Sequence, residues 1–133
     1  MDSDAIRDLF ARFRPVTVRR MFGGAGLYAD GVMFALLSSG GTLYLKVDAQ
    51  NEPDFVREGL PSFAPVMKSG KHAVMPYRQM PDRLYDDPDE LALWSARALA
   101  AAQRRQIAKA KAGPKVAKQK AARSGRLAGK RKP

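Results

Sequence analysis

The sequence predicts an α+β domain built on an antiparallel sheet, in the order α-β-β-β-α-β-β-α, followed by a disordered basic tail. Three observations carry this. Short apolar runs alternate with polar positions and are punctuated by Gly and Asp-Gly turns. Helical patterns with capping residues flank and interrupt these runs. The charge is divided unevenly along the chain: residues 104–133 hold 12 of the 24 Lys+Arg and none of the 13 Asp+Glu, so residues 1–103 carry −1 and the remainder +12. Residues 1–112 are therefore expected to form one domain ending in a long helix, and 113–133 a disordered Lys/Arg/Ala-rich tail.

The first helix follows the candidate caps Asp2 and Ser3, with Ala5, Leu9, Phe10 and Phe13 near one stripe and Pro15 ending the run. Thr17–Met21 and Ala25–Ala29 have extended character, Asp30-Gly31 is a favoured two-residue hairpin turn, and Val32–Leu37 returns. After Gly40-Gly41, the segment "TLYLKV" (42–47) alternates like a strand with one solvated face. The whole stretch reads as a three-stranded meander. Asn51 is placed to cap a short helix through "EPDFVREG", where Pro53 is tolerated in the first turn and Gly59 terminates. Phe63–Met67 and Ala73–Gln79 read as two further strands joined by the basic turn "KSGKH". In the last helix Asp87 is the expected N-cap, Pro88 takes the first position, and Glu90 is placed to return a capping-box contact. Leu91, Trp94, Ala98 and Ala101 or Ala102 share one face of it, and Gly113-Pro114 should stop it.

Gly24, Gly26 and Ala29 satisfy the G-x-G-x-x-A pattern of dinucleotide-binding loops. That pattern needs a helix N-terminus after the glycines, because its amides and dipole hold the pyrophosphate. Here a hairpin turn follows instead. Gly23, Gly24 and Gly26 are thus expected to form a bulge or bend, or to admit a close backbone approach. No cofactor is expected.

The same stretches carry a family resemblance. "RRMFGGAGLYADGVMFALL", "TLYLKVDAQNEPDF" and "MPYRQMPDRLYDDPDELALWSARALAAA" occur in the order found in the N-terminal domain of the TfoX/Sxy family, and the likeness extends over about residues 5–103. The resemblance implies the α+β order given above. It also implies kinship with bacterial regulators of natural competence, which are similar to coactivators working with the cyclic-AMP receptor protein. It brings no catalytic residues. Longer members carry a second helical domain where this chain has its short basic segment.

The residues give little support to catalysis. With no cysteine, thiolate nucleophiles, disulfides and cysteine-ligated zinc are excluded. His72 is the single histidine and lies in a Lys/Gly turn, which suits a surface position. Asp86, Asp87, Asp89 and Glu90 are explained by helix capping rather than metal binding. Ser38, Ser39, Ser62 and Ser69 lack a nucleophile-elbow context. Tyr28, Tyr44, Phe34 and Phe22 alternate on strands and are expected in the core.

The tail points to nucleic acid. Lys109, Lys111, Lys115, Lys118, Lys120, Arg123, Arg126, Lys130, Arg131 and Lys132 are spread among Ala and Gly and are expected to contact DNA phosphates without base specificity. Arg19 and Arg20 mark a candidate partner surface. The expected protein is thus a non-enzymatic, competence-type transcription regulator whose body contacts a protein partner, such as the cyclic-AMP receptor protein, as monomer or homodimer. The alternative is a small-molecule-binding or RNA-processing-associated domain with an auxiliary tail. The acidic, weakly apolar N-terminus and lack of cysteine suit the cytoplasm, with nucleoid association, and no membrane partner is expected.

Overall fold

Asp30 (φ 52°) and Gly31 (φ +77°) both adopt positive φ, the conformation a tight hairpin turn requires, and so place β2 (Gly24–Ala29) against β3 (Val32–Leu37). The computed structural model describes residues 1–21 and 23–121, with residues 112–121 described by backbone alone. It divides into two units, Met1–Gln103 and Arg104–Pro133.

In the first unit β1 (Thr17–Met21), β2, β3, β4 (Leu43–Lys46) and β5 (Tyr77–Gln79) form one antiparallel sheet in sequential order. The α+β class and antiparallel sheet are as the sequence predicts. The five strands, however, divide four before and one after the second helix, rather than three and two. Each of the four segments that the sequence marks as extended before that helix forms its own strand, so the meander has four strands rather than three. Phe63–Met67 does not form a sheet strand. Pro61, Pro65 and Pro76 withhold backbone donors there, leaving only the isolated bridges Ser62–Arg78 and Val66–His72, and β5 shrinks to Tyr77–Gln79.

The helices supply the core. In α1 (Ser3–Leu9) the Asp2 carboxylate accepts the Ala5 N–H at 2.8 Å. Ile6 and Phe10 are buried and Leu9 and Phe13 pack against the core; of the stripe the sequence suggests only Ala5 is exposed, and Ile6 takes its place. Phe34 meets Phe10 edge-on, with ring centroids 5.5 Å apart. In α2 (Glu52–Arg57) Asn51 does not cap the helix with its side chain. Its amide turns back, accepting the Asp48 N–H at 2.8 Å and donating to the Lys46 carbonyl at 3.0 Å, which satisfies the polar end of β4 in a buried position. A 3₁₀ turn (Asp82–Asp86) precedes α3 (Pro88–Ala121).

At the start of α3 the Asp87 carboxylate accepts the Glu90 N–H at 3.1 Å, as expected of the cap. The reciprocal capping-box bond is absent, because the Asp87 N–H donates to the Leu84 carbonyl and the Glu90 carboxylate is engaged by Arg83 and Trp94. Leu91, Trp94, Ser95, Ala98 and Leu99 are buried along the inner face. Trp94 packs edge-on against Phe55 at 4.8 Å, joining α3 to α2.

The backbone is helical through Ala121, past Gly113-Pro114, where the sequence predicts a stop. Pro114 removes one N–H donor, but the alanines, lysines and glutamine around it are among the strongest helix formers. Of the tail expected to be disordered over 113–133, residues 122–133 fall outside the described residues. Among the described residues no helix is long and apolar enough to cross a membrane.

Along β2 the side chains alternate between the two sheet faces. Ala25, Leu27 and Ala29 join the helix-covered core, together with Ala35, Leu37, Leu43, Leu45 and Val47. A register shift beside Leu27/Tyr28 lets the consecutive residues Phe34 and Ala35 both reach that core. Gly24, Gly26 and Tyr28 take the opposite face, across from Met21, Arg19 and Thr17 of β1.

Candidate nucleic-acid interface

Electrostatics separate the chain into two parts. The carboxylates of the first unit are largely matched to its own arginines. Arg7 pairs with Asp4 at 2.7 Å, Arg12 with Asp89 at 2.9 Å, and Arg78 with Glu52 at 2.8 Å. Arg14 pairs with Asp30 and Arg57 with Asp54. Arg83 bridges Glu58 at 2.5 Å and Glu90 at 2.6 Å. These pairs are mostly exposed and contribute little to stability singly, but they neutralise the body's cations locally.

Residues 104–133 contain no Asp or Glu of their own with which their twelve cations could pair. Lys109 and Lys111 are exposed on α3. Their helical neighbours four residues away are Arg105 and Gly113, and Ile107 and Lys115, so no carboxylate is within reach along the helix. Lys115, Lys118 and Lys120 lie on the helical backbone, and their side chains fall outside the described residues, as do Arg123, Arg126, Lys130, Arg131 and Lys132 altogether. The arrangement can present cations to a polyanion along a helix at 1.5 Å per residue.

The structure does not bring Arg19 and Arg20 into one patch. As consecutive strand residues they take opposite faces. The Arg20 guanidinium reaches the Met1 carbonyl and the Ser3 hydroxyl, each at 3.4 Å, at the start of α1. The Arg19 guanidinium stands 5.3 Å from the Tyr28 ring centroid on the other face. There it joins a half-buried apolar group: a Cβ on Gly26 would meet Met21 Cε, Met33 Sδ and Tyr28 Cε1. Tyr28 and Tyr44 are thus not in the helix-covered core, whereas Phe34 is; Phe22 is outside the described residues. Tyr44 packs against Phe63 at 4.9 Å, and Lys46 Nζ lies 5.0 Å from the Tyr77 ring centroid. Strand alternation could have revealed this second apolar face, had the sheet order been known.

The residues weighed for chemistry have other partners. His72 is exposed, with Nδ1 2.7 Å from the Ala64 carbonyl. Asp87, Asp89 and Glu90 serve the helix cap, Arg12 and Arg83 respectively. Among the described residues no group of three or more His, Asp or Glu is placed to hold a metal ion. An open depression of about 480 Å³ lies between α2 and β5, lined by Ala49, Glu52, Pro53, Val56, Arg57 and Arg78. Its cations are already used: Arg78 binds Glu52 and the Leu60 carbonyl, and Arg57 binds Asp54. The G-x-G-x-x-A segment is strand and hairpin throughout, with no helix following it.

No curated protein matches the chain. The family model for the TfoX N-terminal domain matches residues 8–102, from within α1 to the buried part of α3, and leaves the acid-free segment outside the match. This family is associated with regulators of competence. Matched over more than half its length, in the element order of an α+β domain, the chain belongs to the TfoX N-terminal domain family.

Proposed function

We propose that the protein is a non-enzymatic regulator in which the family domain contacts a protein partner and the cationic segment holds DNA without sequence preference. The separation of charge carries this reading: the body pairs most of its arginines with its own carboxylates, while the twelve cations after Gln103 have no acid among them in sequence. Contacts from such cations release counterions from duplex DNA, giving affinity that carries no base information. The partner surface is the sheet face bearing Arg19, Tyr28, Met21 and Met33, where apolar area and a cation lie together. A transcription regulator of the cyclic-AMP receptor type fits that role, with the protein working in the cytoplasm on chromosomal DNA.

Ending the chain at Ala112 tests the tether. Duplex binding should weaken by several decades at moderate salt while the thermal midpoint of the body stays within a few degrees. Unchanged affinity in the shortened chain would refute the role given to the tail.

A further inference from the structure

Residues 59–81 contain no Asp or Glu, but carry Lys68, Lys71, His72 and Arg78. Within them the chain runs out from the sheet and back as a hairpin arm. The Phe63 N–H donates to the Tyr77 carbonyl and the Met75 N–H to the Phe63 carbonyl, both at 2.8 Å. Further out the Ala73 N–H donates to Pro65 at 3.0 Å and the Met67 N–H to Lys71 at 2.7 Å. The tip closes through the Gly70 N–H on the Met67 carbonyl at 2.9 Å, with Gly70 at φ +87°, the left-handed residue that a three-residue hairpin turn demands. Apolar side chains on this arm are left in water: Val66 is 64% exposed, Met67 51%, Val74 73% and Met75 39%. Scattered single exposed apolar residues are ordinary; four on one short arm mark a contact surface.

We propose that the arm is a second DNA-binding element, seated in the minor groove of duplex DNA, with the Lys68 and Lys71 ammonium groups on phosphates and Val66, Met67 and Val74 against sugars and base edges. The inference rests on the DNA-binding reading above, but uses residues separate from the tail. The order of groups along the arm selects the partner. Its tip, "KSGKH", is cationic, and the apolar residues stand behind it. Entry into a bilayer would drag both lysines at the tip through hydrocarbon ahead of the apolar residues. A second copy of the arm would bring like charges together. A duplex meets the cationic tip with phosphate and the apolar flanks with the groove. Two paired strands stand about 4.8 Å apart before side chains are added, and the minor groove is only about 6 Å wide, so seating the arm must widen the groove and bend the duplex.

The test uses the full chain and a duplex of about 30 base pairs with a fluorophore at each end. Wild type should raise energy transfer between the ends on binding. The triple variant Val66→Ser, Met67→Ser, Val74→Ser changes exposed positions only; it should keep the salt slope, bind about tenfold more weakly, and leave the duplex straight. The double variant Lys68→Gln, Lys71→Gln should reduce the slope of log affinity on log salt by about 2. Bending and affinity equal to wild type in both variants would overturn the arm's role while the tail reading stood. Failure of the wild-type chain to bind duplex at low salt would overturn both.

Discussion

Gly24 approaches Leu37 so closely that a Cβ on Gly24 would stand 2.1 Å from the Leu37 carbonyl oxygen. The obstacle is backbone, so no side-chain rotation relieves it. Gly24→Ala should therefore destabilise the domain by about 3 kcal/mol, at the upper end of overpacking costs. Gly40, in the next turn, is exposed, and its nearest obstacle is the Ser38 hydroxyl at 3.8 Å. Gly40→Ala should fall within about 1 kcal/mol of wild type. Urea midpoints of the two variants check the contrast; equal losses would remove the close-approach explanation for the glycine cluster.

The Ser95 hydroxyl is fully buried on the inner face of α3 and has no hydrogen-bond partner among the described residues. Removing an unsatisfied polar group relieves its desolvation cost, and Ala is the stronger helix former. Ser95→Ala should raise stability by about 1 kcal/mol, read as a higher denaturation midpoint.

Two groups make stability depend on pH in opposite directions. The Arg83 guanidinium, with help from the Trp94 indole, holds the Glu90 carboxyl below the usual carboxylate range. A carboxylate lowered on folding stabilises above its unfolded value, and that contribution is lost as pH falls through the lowered one. The deficit of Glu90→Gln relative to wild type should thus be present near neutral pH and shrink below about pH 4. Burial, and then the charge on Tyr28, push the Tyr77 hydroxyl up to about 12. Its contribution is intact below about pH 10 and lost as pH rises through the folded value. Tyr77→Phe should reduce the loss of stability over that alkaline window, seen in denaturation midpoints against pH.

Where local chemistry decides, the fold was legible. Asp30-Gly31 supplies two positive φ angles, and Asp87 caps α3 as its side chain allows. The readings that failed turn on tertiary context. Asn51 has the composition of a helix cap, but the buried end of β4 claims its amide. Phe63–Met67 alternates like a strand, yet the neighbouring prolines keep it out of the sheet and leave Val66 and Met67 exposed. Arg19 and Arg20 are adjacent in sequence, and strand alternation separates them in space. The cationic segment was legible because it depends on composition alone.

Like charges four residues apart, such as Arg105 and Lys109 or Lys111 and Lys115, oppose the distal part of α3 by about 0.2–0.5 kcal/mol a pair. Phosphates relieve that repulsion. Adding duplex DNA at low salt should deepen the helical circular dichroism signal of the full chain, with a smaller change for the chain ending at Ala112.

The most direct measurement is the slope of log affinity against log salt for duplex DNA and the full chain. If about 6 to 10 phosphates are engaged, the slope lies between about −5 and −9 and loses most of its value when the chain ends at Ala112. A slope near zero, or one that the truncation leaves unchanged, would contradict the electrostatic tether.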